Sequence, residues 1–430
     1  MKKIELTLFW FRRDLRLQDN LGLIEALNSS NSVLPIFIFD DDITDELPRN
    51  DARVSFIHER LELIDTELKS FGSSILVKKG KVLDVWKELC FEFDVKVVFA
   101  NEDYEPYAIK RDEQIKDFLE SKDISFHLLK DQVIFAKDDV VKQDRTPYTV
   151  YTPYKNKWRE QFTAMSLSLQ QKYTSSNFVK LTINFPSIEE IGFVKSNIKV
   201  KQYNGGNISN YAEIRNFPAI DGTSYLSPHL RFGTVSVREL AIKYSSNTEL
   251  LNELIWREFF MQILYHFPKV VEGNFREKYD FIQWRNNLEE FEKWKNGQTG
   301  YPIVDAGMRQ LNETGYMHNR VRMIAAGFLC KHLLIDWRWG EAYFAEKLLD
   351  YDLSANNGNW QWSAGTGCDA APYFRVFNPT EQVKKFDPEL KYIRKWVPEI
   401  DEMAYPLPIV EHKYARERAL KVYKEGIRDL

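Results

Sequence analysis

Cysteine is scarce in this chain. Three are present in 430 residues, Cys90, Cys330 and Cys368. None stands at metal-ligand spacing from another Cys or His, which argues against a disulfide framework and a structural zinc site. Each reads as a small buried hydrophobe. Long apolar runs are missing too: nothing approaches the ~18 residues of a membrane span. The opening MKKIELTLFWFRRDLRL has too short an apolar run for a signal peptide, so it reads as a first strand and a cytoplasmic location is expected. Net charge is small, −4 with a pI of about 6.1, which does not mark a bulk polyanion binder. A local basic patch stays open, because steering follows the distribution of charge and not its sum. No G-x-G-x-x-G follows the first strand, so the usual dinucleotide fingerprint is absent.

What the chain does have is aromatic residues, 14% of the total, and an uneven spread of them. Eight of the eleven tryptophans fall between Trp256 and Trp396. The length predicts two or three domains. Over the first 130 residues, apolar runs at 4–11, 33–40, 74–79, 95–100 and 124–129 alternate with helix-like segments. That rhythm predicts a doubly wound parallel five-stranded sheet covered on both faces, an α/β domain over 1–130. Residues 131–200 lose the rhythm and are punctuated by Pro147, Pro153 and Pro186; they read as a long, partly helical linker over the surface. The run KNKWR (155–159) reads as a solvated face. From 201 to 430 strand signals vanish and helical periods follow one another, with Gly or Pro at the joints, which predicts an all-α domain.

The segment NNGNWQW (356–362) sits in this second half. Residues two apart on a helix lie about 200° around the axis at ~3.6 residues per turn. If the segment is helical from about Gly358 onward, Trp360 and Trp362 face different ways. Asn356 then lies one turn before Trp360.

Five segments together resemble one known family. They are FWFRRDLRLQDN (9–20), DGTSYLSPHLRFG (221–233), NELIWREFF (252–260), TGYPIVDAGMRQLNETGYMHNRVRM (299–323) and DLSANNGNWQWSAGTGCDAAPYFRVFNP (352–379). In this order and spacing they are similar to the core motifs of the photolyase/cryptochrome family, within it most like the class I enzymes that repair cyclobutane pyrimidine dimers. The resemblance runs nearly end to end. It implies FAD in the helical domain and DNA carrying a flipped-out dimer as substrate. It also implies a light-driven electron transfer from reduced FAD that splits the dimer, with the electron returned.

The resemblance also implies roles for particular residues. Tyr211, Thr223, Ser224, Tyr225, Leu226 and Ser227 match the flavin-phosphate segment, where hydroxyls and backbone N–H groups suit a phosphate. Tyr225 replaces a residue that is often Arg or Gly in relatives. Asn356 matches the residue beside flavin N5, Asp350 and Asp352 match an acidic pair near the flavin, and Asp350 is expected to pair with Arg322. Tyr351 stands between them in place of a small residue. Trp256 and Trp362 match the two walls of the dimer pocket, with Glu253, Asn319 and Met323 beside them. Arg215, Arg257, Arg320 and Gln382 match positions on the DNA or flavin side. Trp360, Trp337 and Trp284 match three electron-relaying tryptophans, whereas Trp294 and Trp339 read as packing residues.

Asn319 and Met323 stand where (6-4) enzymes carry histidines, and Trp362 stands where single-strand-preferring relatives usually carry Tyr. Both favour cyclobutane dimer repair in duplex DNA. A monomer with no metal and no membrane association is expected. A signalling photoreceptor of the cryptochrome type is the alternative, since fold does not fix function. An antenna chromophore, folate or deazaflavin, is implied for the α/β domain. Tyr107 and Ala108 replace the Asn and Glu of folate binders, which weakens the case for folate.

Overall fold

The computed structural model describes residues 3–30, 32–164, 174–203, 205–208 and 210–427. The chain forms two compact units. The first comprises Met1–Asp139, Arg159–Lys201 and Leu226–Ser246; the second comprises Val140–Trp158, Gln202–Tyr225 and Asn247–Leu430.

In the first unit five strands, β1 (Glu5–Phe11), β2 (Val33–Asp40), β3 (Leu76–Gly80), β4 (Asp94–Asn101) and β5 (Ser125–Leu129), build one parallel sheet in the order β3-β2-β1-β4-β5. Every residue of β2 is buried, as expected when helices cover both faces of a parallel sheet. Side-chain caps start the covering helices: Asn20 accepts from the Leu23 N–H and Asp51 from the Arg53 and Val54 N–H groups.

The expected 131–200 linker behaves differently from a surface connection. Phe178, Ile188, Ile191 and Phe193 are buried in the same core as Phe9, Phe11 and Phe37. Phe178 also bridges to Val33 at the start of β2. The polar residues between them masked this pattern, since single apolar anchors in a loop have no period to detect. Residues 165–173 of that stretch lie outside the described residues. The expectation of a solvated KNKWR also fails at its centre. Trp158 is fully buried and its indole N–H donates to Glu258 at 2.6 Å.

The second unit is helical among its described residues. Its core gathers Trp294, Trp337, Phe344 and Trp360 with the apolar faces of Pro302–Thr314 and Asn319–Gly327. The latter helix continues into a π-helical turn, Phe328–Leu333, whose six residues are all buried. Asp336 caps Trp337–Lys347, and Asp352 caps Leu353–Ala364, which ends on the left-handed Gly365.

Two close approaches fix where this last helix lies. A Cβ on Gly358 would sit 2.2 Å from the Phe260 ring of the Thr248–His266 helix. A Cβ on Gly340 would sit 2.1 Å from the Trp360 ring. Neither glycine has room for a methyl group. We therefore expect Gly358→Ala to lower stability by about 1–3 kcal/mol through overpacking. Helix propensity alone predicts the opposite sign, a gain of roughly 1 kcal/mol. The urea midpoint decides between them; a higher midpoint in the variant contradicts the close approach.

Candidate functional site

The Leu353–Ala364 helix starts five residues before the expected Gly358, so all of NNGNWQW is helical. Asn356, Trp360 and Ala364 are buried on one side of it. The Asn356 amide donates to the Glu341 carboxylate at 2.8 Å and to the Glu341 carbonyl at 3.1 Å. Its own side-chain oxygen takes no hydrogen bond among the described residues. Burial raises the pKa of Glu341. Trp360 meets Phe344 edge-on at 4.9 Å and Trp294 at 6.2 Å.

Trp362 turns elsewhere. With Met323, Lys331, Ser363, Arg375 and Phe377 it lines a small pocket. Met323 lies one turn after Asn319 on Asn319–Gly327, and Asn319 is exposed at that helix's first position. Arg320 beside it donates to the Asn216 side-chain oxygen at 2.7 Å and covers the Phe386 ring at 4.5 Å. The Arg320 Nε is buried without a partner. Arg322 donates to both oxygens of Asp350, at 2.8 and 3.1 Å, and through Nε to the Met317 carbonyl. The expected Arg322–Asp350 pair is thus formed, and a backbone carbonyl adds to it, as a half-buried ion needs.

On Thr248–His266, Glu253 and Trp256 sit one turn apart. Glu253 accepts from Arg215 at 2.5 Å, and the Arg215 guanidinium lies 5.1 Å from the Tyr211 ring. Burial, helped by Glu253, pushes the Tyr211 hydroxyl up to about 12. Trp256 stacks on Tyr151 with centroids 3.5 Å apart and planes 6° apart, and the Tyr151 hydroxyl donates to the Asn252 carbonyl. Phe260 stacks on the same indole at 5.4 Å.

Tyr225 adopts φ +55°, a conformation rare for a residue with a Cβ, and its hydroxyl donates to Asp221 at 2.5 Å. A glycine fits such a position without strain, so the departure at this residue is a change in backbone cost as well as in charge. Thr223 and Ser224 precede it in the second unit, whereas Leu226 and Ser227 open a short helix of the first.

Residues 7–173 match the DNA photolyase family, and residues 250–404 match the FAD binding domain of DNA photolyase. The deoxyribodipyrimidine photo-lyase of Escherichia coli is 37% identical over 97% of this chain and 98% of its own. The chain belongs to the DNA photolyase family. Among solved structures, a bacterial class III photolyase from Agrobacterium tumefaciens superposes with a TM-score of 0.86 at 32% identity, covering 99% of this chain and 98% of that one. An archaeal photolyase from Sulfolobus tokodaii with two FAD molecules gives 0.85 at 36%, covering 98% of this chain and all of that one.

The residues present fit the photolyase flavin. The Asn356 side-chain oxygen takes no hydrogen bond among the described residues, an acceptor suited to a ring N–H. Arg322 adds a cation fixed by Asp350, and Thr223 and Ser224 bring hydroxyls to the phosphate loop. Asp352 spends one oxygen on the cap, accepting from the Ala355 N–H, while Ser354 donates to it. Tyr351 is half-buried against the core. Other expected positions are more scattered. Arg257 is half-buried beside Trp256 in sequence, and Gln382 is half-buried on the Pro379–Phe386 helix. Trp337 is buried, its N–H donating to Asn274, and Trp284 meets Tyr423 edge-on at 5.8 Å. Among the described residues, none of Trp360, Trp337 and Trp284 is in ring contact with another. In the first unit the Tyr107 hydroxyl donates to Asp40 at 2.6 Å and Ala108 is buried, so neither position offers a carboxylate to a folate ring.

Glu341, Tyr151 and Lys331 escaped the sequence reading. Glu341 and Tyr151 have no spacing signal, because their partners lie 15 and 105 residues away. Lys331 left one, a lone charge inside AAGFLCKHLLI.

His318 caps Asn319–Gly327 by accepting from the Arg320 N–H, which requires a neutral Nδ1. Burial, then Arg320, Arg322 and Arg215, pull its pKa down to about 4. The unfolded imidazole takes up its proton first, near ~6.5. Stability is therefore intact above that value and declines as pH falls toward about 4, by on the order of 3 kcal/mol from this group. Thermal midpoints across this window should fall less steeply in His318→Asn, which keeps a cap. An equally steep fall in the variant contradicts the assignment.

Proposed function

We propose that the chain is a light-driven deoxyribodipyrimidine photo-lyase that binds FAD and splits cyclobutane pyrimidine dimers in DNA. One observation carries this reading: a single helix holds a buried Asn356 with a free acceptor and, two residues past Trp360, a Trp362 that walls an open pocket with Met323. The relatives at 35–37% identity over nearly the whole chain support the same activity.

When bound, reduced FAD excited by light supplies one electron to the dimer and receives it back once the cyclobutane ring has opened. The chain's own residues bind, orient and exclude water. Asn356 accepts a ring N–H, while Glu341 holds its amide in place. Arg322, anchored by Asp350, brings positive charge to a cofactor that is anionic when reduced. Thr223, Ser224 and Tyr211 serve the phosphate end. Trp362 and Trp256 flank the flipped dimer; Tyr151 and Phe260 stack on Trp256 and fix its plane. Glu253 hydrogen-bonds the dimer after parting from Arg215, with Asn319 and Met323 completing the wall. Arg320, with an unpartnered buried N–H, together with Arg215, Arg257 and Gln382, serves the flanking phosphates, so binding weakens with salt.

Purified protein with chemically reduced FAD should remove thymine dimers from duplex DNA under blue light and leave them in the dark. Persistence of dimers under light would count against repair and favour the photoreceptor reading. Trp362→Ala should weaken binding to dimer DNA about ten- to a hundredfold, from ~1–3 kcal/mol per stacked base. Trp360→Phe should instead slow photoreduction and spare repair once the flavin is chemically reduced; unchanged photoreduction would remove Trp360 from the relay.

A further inference from the structure

We propose that Lys331 is a positioning residue for the lesion pocket: its ammonium anchors the last turn of the helix that carries Trp362 and gives the pocket a buried positive charge. This rests on the reading of that pocket as the dimer site. Lys331 lies on the π-helical turn and is 2% exposed, yet it lines the pocket. Its Nζ donates to the Ala364 carbonyl at 2.6 Å, two residues past Trp362. The Tyr423 hydroxyl donates to the same oxygen at 2.8 Å, and the Lys331 Nζ lies 3.6 Å from the Tyr423 ring centroid. No carboxylate pairs with Lys331 among the described residues.

A buried ammonium without a counter-ion is costly, and removing its remaining partners more so. Two weaker partners offset the cost here: the negative end of the helix dipole at Ala364 and the face of an aromatic ring. Both favour the charged form, since an ammonium donates more strongly than a neutral amine and only a cation is drawn to the ring face. The charge therefore ties together three things: the π turn, the helix end beneath Trp362, and the Tyr423 face of the His412–Gly426 helix. A π turn inside a helical run often marks a functional position, since it rephases side chains that an α-helix would turn away.

Burial pulls the Lys331 amine down to about 7. The groups around it titrate elsewhere. Cys330 on the same turn and Tyr423 on His412–Gly426 are both raised by burial, with Asp336 acting on each. His332, next on the turn, is lowered to about 3. Arg375 faces the pocket from the loop after the helix. The charge that anchors the pocket is thus lost as pH rises through neutrality.

The test is dark binding of the FAD-loaded full chain to dimer-containing and to undamaged duplex, between about pH 6 and 9 at fixed ionic strength. Dimer affinity should fall about tenfold across this range, with its midpoint near pH 7. Lys331→Arg should keep the affinity and lose the pH step; Lys331→Met should bind weakly and show no step. Thermal stability provides the separating readout. The unfolded lysine holds its proton to ~10.4, so stability should rise with pH above about 7 while binding falls. A pH step that survives in Lys331→Arg, full affinity in Lys331→Met at pH 6, or binding and stability falling together in the native chain would each overturn the inference. If the native chain fails to prefer dimer DNA at any pH, the reading of the pocket falls first, and this inference with it.

Discussion

The second unit depends on two places where an aromatic ring of one helix packs directly onto a glycine of another. Gly358 lies against Phe260, and Gly340 lies against the Trp360 ring, each closer than any Cβ allows. These contacts set the depth and rotation of Leu353–Ala364 against its neighbours on both sides. Rotation is the sensitive quantity. Trp360 and Trp362 are about 200° apart on a helix of ~3.6 residues per turn, so a modest turn of the helix moves both of them. Close packing at two glycines lets one short helix bury Asn356 and Trp360 on one side while Trp362 lines a pocket on another, the arrangement on which the proposed function rests.

Charge is handled in a matching way. Arg322 and Arg215 are held by carboxylates, Asp350 and Glu253, and Arg322 gains a backbone carbonyl as well. Such pairs contribute little net stability, but breaking one strands a charge. Their effect is geometric: each fixes the position of a guanidinium. Lys331 is the exception, held by a carbonyl and a ring. A surface designed only to fold would not place a lone ammonium beneath a pocket. In the first unit the same economy of position appears in Tyr107, whose hydroxyl is taken up by Asp40.

Much of this was legible in the chain. Period-two and continuous apolar runs marked all five strands, and helical periods marked the second half, because burial on one face leaves a repeat. The pairing of Arg322 with Asp350 and the divergence of Trp360 and Trp362 also followed from matched motifs and helix geometry. Less legible was the 178–193 segment, where isolated Phe and Ile anchors enter a core without any period. The helix start at Leu353 was hidden by polar residues that turned out to be buried and satisfied: Asn357 donates to the Val270 carbonyl and Gln361 bonds to Val270, Asn357 and the Phe275 N–H. Glu341 and Tyr151 act on their partners across tertiary distances, which spacing along the chain does not encode.

The central claim is that one helix presents two functionally separate sides. It is tested most directly by the dark affinity for thymine-dimer DNA of an Asn356→Ala protein reloaded with FAD. The account predicts affinity close to that of the native chain alongside an altered flavin reduction, because Asn356 faces Glu341 and the core. A loss of affinity as large as that caused by Trp362→Ala would contradict it.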